Sequence, residues 1–536
     1  MAYELSKYKP EPSSLEVGSD TTEQNMTIAD RDNETLSRLG KKPVLKRNFG
    51  FMSMLGFSCT VMITWEGMLL LLAIGFTNGG YAGSVYGFLV VWVGTLAVFT
   101  TMGELASMAP TSGGQYHWVS MLAPRSAQKF MSYLIGWITV IGWQAAVASG
   151  GFLCASLIQG LIALNFAEYS PQPWQAVLLF YATLFFGVFI NTVVSRALPK
   201  IEGIILIFHV LGFFAILIPM VYMAPHGSAK DVFTVFMNGG GFKTQGLSFM
   251  VGLVGPIFCL LGADSAVHMS EEIQNASIIV PRAMIFSIGL NGLMGIGMLV
   301  AALFCLGDVE TVLASPFPFM AIFQQAVGSA AGATAMSAVV TVLMICALIS
   351  FVATGSRMTW SFARDRGLPG WYYLSKVDQR TSIPLISIAL TTLIACLLAL
   401  VILGSSVAFN DVVSLTINGL YTSYLIGNSL LLYRRMTGGI KPYSSISEGL
   451  TNVANSNSLT WGPFKIREPF GTIVNAFGCV FMVVILFFSF WPIMMDPSLK
   501  IMNFSSVMMV GTIVFACIYY AIWGRKTYTG PVIEIS

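Results

Sequence analysis

The sequence predicts an all-α integral membrane protein with twelve transmembrane helices. Three observations lead to this fold class: the composition, the length of the apolar runs and the distribution of basic residues. Of the 536 residues, 55% are apolar and 10% are charged, and the mean hydropathy is +0.74. Soluble globular proteins carry about 25% charged residues, so this composition excludes them. The net charge of +3 is too small over this length to indicate a nucleic acid partner.

Twelve apolar runs are long enough to span a bilayer. About 20 helical residues cross a hydrocarbon core roughly 30 Å thick, and a helix satisfies its own backbone hydrogen bonds there. The predicted spans, numbered 1 to 12 in chain order, are 50–76, 83–107, 127–163, 174–195, 200–223, 245–269, 281–306, 326–361, 382–404, 408–432, 472–494 and 504–524. The lipid bilayer is therefore an expected partner.

The basic residues orient these spans, because cytoplasmic loops are enriched in Lys and Arg. With both termini in the cytoplasm, all 28 Lys and Arg residues lie inside except Lys230, Lys243 and Lys500. We therefore expect a disordered cytoplasmic tail over residues 1–48, a cytoplasmic loop over residues 433–471 and a cytoplasmic tail over residues 525–536. The polar start of the chain argues against a cleavable signal peptide.

Two spans are interrupted by polar or small residues. Thr64-Trp65-Glu66-Gly67 lies in the middle of span 1, and Leu261-Gly262-Ala263-Asp264-Ser265 lies in span 6. If spans 1–5 and 6–10 are inverted copies of one unit, both breaks meet near the membrane midplane. Transporters built this way bind their substrate between half-helices at that depth.

Glu66 is the first candidate for substrate binding. A charged carboxylate at the bilayer centre costs about 2.5–3.5 kcal/mol, and span 1 has no Lys or Arg to neutralise it. Glu66 either faces a wet cavity and binds a substrate cation, or it is a protonated or hydrogen-bonded structural acid. We expect the first, with Thr64 and Gly67 in the same segment. Trp65 either adds a cation–π face or only packs.

Asp264 in span 6 has three interpretations. It binds a substrate ammonium, neutralises His268 four residues later, or caps the half-helix that begins at Ser265. The neighbouring Gly262 allows the backbone to leave helical geometry, so we include Gly262 and Asp264 in the predicted substrate site.

His209 lies deep in the apolar span 5. Imidazole takes up and releases protons near neutral pH, which fits proton loading outside and release inside. The alternative is an inert histidine that is hydrogen-bonded to a neighbour.

No catalytic or metal-binding pattern accompanies these residues. The eight cysteines lie inside apolar runs without a CxxC spacing, and no HExxH or paired-histidine motif occurs. The sequence therefore predicts a protein that is not an enzyme and that uses no metal or cofactor.

Three segments at inner ends of spans carry a family resemblance. They are GELASMAP at 103–110, continuing to residue 118; HMSEE at 268–272, with PRA at 281–283; and WSFARDRGLP at 360–369. Together they resemble the amino acid–polyamine–organocation (APC) transporters, most closely the fungal amino acid/choline branch with its choline and γ-aminobutyrate permeases. The likeness covers about residues 45–525.

The resemblance implies a LeuT-like core of five plus five inverted helices over residues 49–432, with two peripheral helices within 472–524. It also implies alternating access around spans 1 and 6. In proton-coupled relatives a lysine in span 5 replaces a sodium ion, and His209 matches that position by its spacing from Lys200. Sodium coupling through Ser350 and Thr354 is the less favoured alternative.

The inner motifs supply four candidate gate residues. Glu104 is expected to pair with Arg357 or Arg364, with Glu271 in the same group, as ion pairs that break when the helices rock. The alternative is ordinary loop packing.

We therefore expect a plasma-membrane permease that moves a small nitrogenous solute, such as choline, γ-aminobutyrate, an amino acid or a related basic metabolite, together with protons. A carboxylate at the span 1 break disfavours a plain α-amino acid bound in the family's usual way. The alternatives are a nutrient sensor that binds the same ligands without transport and an exporter of a cationic secondary metabolite.

Overall fold

The computed structural model describes residues 27–315, 317–403, 408–444, 449–454, 459–498 and 502–534. Within these ranges the regular secondary structure is helical throughout, with no β-strand. Residues 1–26 of the expected tail and Lys500 lie outside the described part of the chain.

The helices follow the predicted order of spans and loops. They are α1 (Ile28–Arg38), α2 (Phe51–Met62), α3 (Thr64–Leu70), α4 (Leu72–Met108), α5 (Gln115–Leu122), α6 (Gln128–Asn165), α7 (Pro173–Thr192), α8 (Leu198–Met223), α9 (Ala229–Thr234), α10 (Gln245–Gly252), α11 (Val254–Cys259), α12 (Ser265–His268), α13 (Ala276–Phe304), α14 (Val309–Ala314), α15 (Pro318–Val327), α16 (Ala330–Arg364), α17 (Trp371–Leu374), α18 (Leu385–Ala399), α19 (Ala408–Met436), α20 (Phe470–Ser489), α21 (Ser505–Tyr519) and α22 (Arg525–Thr527).

The twelve predicted spans are recovered from these helices. Among the described residues, nine helical segments are long and apolar enough to cross a membrane by themselves. The other three spans are the broken span 6 in α10–α12, the short apolar α18 and the 29-residue α19. Spans 1 and 2 share α4, which turns at Gly80 (φ 66°, ψ −156°). The predicted fold class, with a ten-helix inverted-repeat core and two peripheral spans, is confirmed.

Span 1 is broken at Ile63, between α2 and α3. This residue has left-handed backbone angles (φ 42°, ψ 43°), which are costly for a β-branched side chain and persist only when the surroundings enforce them. Thr64, the first residue of α3, donates a hydrogen bond from Oγ1 to the carbonyl of Cys259 (2.7 Å), the last residue of α11. The break in span 1 is thus tied to span 6.

Span 6 breaks after α11, where Gly262 has φ +104°. A Cβ atom at Gly262 would lie 2.8 Å from Cγ1 of Val61 in α2, so glycine is needed both for the backbone angle and for the close approach. The two breaks therefore pack directly against each other, as the spacing of the polar interruptions predicts.

The segment before span 1 corrects one prediction. The expectation of disorder is wrong for residues 27–48, because α1 is capped by Thr27 and its Leu36 is buried. Asp32 also accepts hydrogen bonds from the backbone N–H groups of Asn275 (2.7 Å) and Ala276 (3.3 Å), at the start of α13. These contacts fix a segment that looks merely polar in the sequence.

The two terminal segments meet on one side of the protein. The backbone N–H of Glu534 donates to the carbonyl of Gly40 (2.7 Å), and Glu534 Oε2 accepts from the backbone N–H of Lys42 (2.9 Å). We call this side the inner face, since the distribution of Lys and Arg predicts that it lies in the cytoplasm.

Candidate functional site

A small cavity lies between the two helix breaks. Its lining includes Ile63 of span 1 and Phe258 and Gly262 of span 6, and spans 3 and 8 contribute Trp143 and Phe351. The cavity encloses about 20 Å³, which is room for roughly one water molecule. A solute can enter only when the half-helices move apart, so the inward and outward motions of the breaks would control access.

The cavity wall is aromatic and apolar, and no carboxylate lines it. Trp143 is fully buried, and its Nε1–H has no hydrogen-bond partner among the described residues. Buried donors are nearly always paired, so this N–H has capacity for one further hydrogen bond.

Glu66 does not line this cavity; it points toward span 5. Its Oε1 lies 2.7 Å from Nδ1 of His209, and both side chains are buried. Trp65 packs against the His209 ring (centroids 5.8 Å apart) and against Phe213 (6.0 Å). The structure thus brings together the acid predicted for substrate binding and the histidine predicted for proton coupling.

The Glu66–His209 pair is only half satisfied. Glu66 Oε2 and His209 Nε2 are both buried without a hydrogen-bond partner among the described residues. No Lys or Arg in the described ranges forms an ion pair with Glu66. Since unpaired polar atoms in an apolar interior cost free energy, the pair has capacity for a further proton or hydrogen bond.

Asp264 also points away from the cavity. It accepts hydrogen bonds from Nε2 of Gln115 (2.8 Å) and Oη of Tyr424 (2.5 Å), and it lies 3.5 Å from Nε2 of His268. Its side chain makes no cap bond to α12. Of the three interpretations, the geometry matches the contact with His268.

The remaining predicted substrate residues hold the breaks together. Thr64 bonds to the Cys259 carbonyl, and a Cβ atom at Gly67 would lie 2.7 Å from Sγ of Cys259. Of the six predicted substrate residues, Gly262 alone lines the cavity. The aromatic residues Trp143, Phe258 and Phe351 were missed, because aromatic side chains in apolar spans give no signal that separates a ligand wall from packing.

Glu202 is a second buried acid that the sequence analysis missed. It lies on span 5 two helical turns before His209 and accepts a hydrogen bond from Oγ of Ser350 (2.8 Å). Ser350, named as a sodium ligand in the alternative prediction, is thus committed to a carboxylate, and Thr354 donates to the Ser350 carbonyl (2.9 Å). Glu202 stands two residues after Lys200 at the predicted start of span 5, where charged residues commonly lie at the membrane surface, so the sequence gives no sign of its burial.

The predicted gate residues form different pairs from those expected. Arg364 makes two hydrogen bonds to Glu271 (2.8 and 2.7 Å), and Arg357 bonds to Glu272 (2.9 Å). The predicted pairing of Glu104 with Arg357 or Arg364 is wrong: Glu104 bonds to Arg435.

The partner of Glu104 follows from the position of α4. The inner end of α4 lies beside the segment that follows span 10. There, Glu104 Oε1 accepts a hydrogen bond from the backbone N–H of Ile466 (2.8 Å). The sequence gives no sign of this contact, which joins residues more than 300 positions apart.

A buried ion pair on the inner face was also missed. Lys41 Nζ lies 2.5 Å from Asp365 at the end of span 8, and both side chains are almost fully buried. Tyr116 Oη (2.6 Å) and the backbone N–H of Val532 (2.8 Å) also donate to Asp365. Burial alone raises the pKa of Asp365, but the charges of Lys41 and Arg364 outweigh it and hold this pKa below its ordinary value.

Comparison with known proteins agrees with this architecture. A family model for amino acid permeases matches residues 49–517. The chain belongs to the amino acid permease family. The resemblance to APC transporters is thereby confirmed, and this permease is an integral multi-pass membrane protein.

Its relatives come from fungi and plants. The permease is 30% identical to a choline transporter of Saccharomyces cerevisiae over 492 residues, which is 90% of this chain and 83% of the relative. It is 28% identical to amino-acid permease BAT1 of Arabidopsis thaliana over 526 residues (95% and 98%). It is also 28% identical to the transmembrane transporter swnT of Metarhizium robertsii over 488 residues (90% and 92%).

Lys41→Met should destabilise the permease strongly, because it leaves Asp365 buried without its cation. Breaking a buried pair in this way costs about 3–5 kcal/mol, which thermal unfolding of the purified protein would report as a lower midpoint. The control is Lys42→Met at the exposed neighbour, which should unfold like the wild type.

The contribution of Asp365 also has a defined pH range. Because its pKa is lowered in the folded protein, the stabilisation is present at neutral pH and is lost only as the pH falls through that lowered value. Equal midpoints for Lys41→Met and the wild type at neutral pH would contradict the assignment.

Proposed function

We propose that this permease is a proton-coupled secondary transporter of a small nitrogenous cation or zwitterion, such as choline, γ-aminobutyrate, an amino acid or a related basic metabolite. It works by alternating access around the two helix breaks. The observation that supports this most is the aromatic cavity that lies between Ile63 and Gly262.

The solute's nitrogen binds against the aromatic wall. Trp143, Phe258 and Phe351 surround the space between the breaks, and a desolvated cation over such rings gains about 2 kcal/mol or more. The Trp143 Nε1–H, which has no partner among the described residues, donates to a hydroxyl or carboxylate of the solute. A choline transporter among the relatives fits this chemistry.

The Glu66–His209 pair carries the coupled proton. A carboxylate beside a neutral imidazole has a net charge of −1, and one added proton makes the pair neutral overall. An apolar environment favours the neutral form. The proton enters from outside and leaves inside. Glu202, which is hydrogen-bonded to Ser350, is a second buried acid on span 5, the span that carries His209. This replaces the direct role in cation binding that the sequence suggests for Glu66 and Trp65.

The ion pairs on the inner face form the cytoplasmic gate. Glu271–Arg364, Glu272–Arg357 and Glu104–Arg435 join spans 2, 6, 8 and 10, so all three restrain a movement that opens the cavity inward. Both termini lie in the cytoplasm and the protein resides in the plasma membrane. The Lys41–Asp365 ion pair lies on the same face and forms a further part of the proposed gate.

Trp143→Leu should raise the KM for the transported cation by about 30-fold, the equivalent of about 2 kcal/mol of cation–π binding, with a smaller effect on kcat. Uptake into vesicles that contain the purified permease, with a competition panel of choline, γ-aminobutyrate and amino acids, measures this. Trp137→Leu is the control, since Trp137 lies on the same helix but does not line the cavity.

An unchanged KM in Trp143→Leu would exclude this cavity as the cation site. If the wild type binds these solutes but shows no flux of any of them, the permease is instead a sensor.

Glu66→Gln and His209→Gln should each abolish accumulation driven by a pH gradient, while exchange of solute for solute continues. Exchange needs the cavity but no net proton movement. His226→Gln is the control, because His226 is the exposed histidine of an outer loop. If either variant of the buried pair still accumulates solute in response to external acid, the pair does not carry the proton.

A further inference from the structure

A basic pocket opens on the inner face, away from the solute cavity. It lies between the segment before span 1, the start of span 5 and the loop between spans 8 and 9, and it encloses about 400 Å³. Lys46, Arg196 and Lys200 line it together with the buried ion pair of Arg357 and Glu272.

The positive charge of this pocket is not neutralised. Arg357 and Glu272 cancel each other at 2.9 Å, but Lys46, Arg196 and Lys200 form no ion pair with any carboxylate in the described ranges. Asp378, the acid of the loop between spans 8 and 9, accepts a hydrogen bond from Oγ1 of Thr381 in its own turn (2.6 Å). Three cations converge without a counter-charge, which favours a ligand with several negative charges.

The polar groups around the cations fit phosphate oxygens. Ser195, Ser382 and Asn48 line the same space. Hydroxyl and amide groups donate hydrogen bonds to phosphate oxygens, and the planar guanidinium of Arg196 can bind two of them at once.

The depth of the pocket suits a membrane lipid. Arg196 lies just before α8 and Lys200 lies in its first turn, at the inner end of an apolar segment that is long enough to cross a membrane. We expect lipid headgroups at this depth. Basic pockets between transmembrane helices on the cytoplasmic side are typical sites for multiply charged headgroups.

We propose that this pocket binds a multiply phosphorylated inositol headgroup, supplied by a phospholipid of the inner leaflet or by a soluble inositol phosphate. The ligand bridges Lys46, just before span 1, to Arg196 and Lys200 at the start of span 5. Because it ties together segments that are distant in the sequence, it stabilises the folded permease. The site is separate from the solute cavity and from the Glu66–His209 pair.

The test uses the purified full-length permease in neutral detergent and measures the midpoint of thermal unfolding against ligand concentration. The probes are a short-chain phosphatidylinositol bisphosphate, inositol trisphosphate and a short-chain phosphatidylcholine. Both inositol compounds should raise the midpoint in a saturable way, and the choline lipid should not. Tighter binding of the lipid identifies the membrane as the source, and equal binding identifies the soluble headgroup.

Two triple variants with the same change of charge locate the site. Lys46→Gln/Arg196→Gln/Lys200→Gln should bind the inositol lipid about a hundredfold more weakly, since each basic residue near the surface contributes about fivefold. Lys42→Gln/Arg525→Gln/Lys526→Gln removes one Arg and two Lys from exposed positions outside the pocket and should bind like the wild type.

Failure of the wild type to respond to either inositol compound would overturn the proposal, and so would equal losses in the two triple variants. If the pocket triple variant is unstable without ligand, Arg196→Gln alone decides the matter: it should weaken binding about fivefold, and unchanged affinity would overturn the site. None of these measurements depends on transport, so their outcome is independent of the proposed substrate and coupling.

Discussion

The hydrogen bond between Glu66 and His209 is the contact on which the organisation of the site depends. The apolar interior supplies no water to a carboxylate, so Glu66 requires a partner from the protein, and His209 provides it at 2.7 Å. This contact turns the start of α3 toward span 5 and places Trp65 against Phe213. The space between the two breaks is lined instead by aromatic and aliphatic side chains.

This arrangement separates cation binding from Glu66, the acid to which the sequence analysis assigned it. In the proposed mechanism, a positively charged solute meets aromatic rings, the proton meets a carboxylate–imidazole pair, and the inner gate uses arginine–carboxylate pairs. Span 1 links the first two, because the break at Ile63 borders the cavity and Glu66 follows three residues later. Under the proposed mechanism, movement of α3 would act on the solute and the proton together, which is the physical requirement for coupling.

Hydropathy and the placement of Lys and Arg were sufficient to predict the fold class and the twelve spans, because the bilayer imposes length and orientation on every helix. The breaks were also visible, since Glu66 and Gly262 interrupt otherwise apolar runs. Partners across the fold were not predictable: Lys41 belongs to a polar segment, and nothing in the sequence relates it to Asp365. Trp143 resembles any other aromatic residue of an apolar helix until the cavity is seen.

The most direct test is a structure of the permease with its solute bound, determined by electron cryo-microscopy. The account predicts that the positively charged nitrogen lies against Trp143 and Phe258, between the two breaks, while Glu66 keeps its hydrogen bond to His209. A nitrogen paired directly with the Glu66 carboxylate, with His209 displaced, would contradict it.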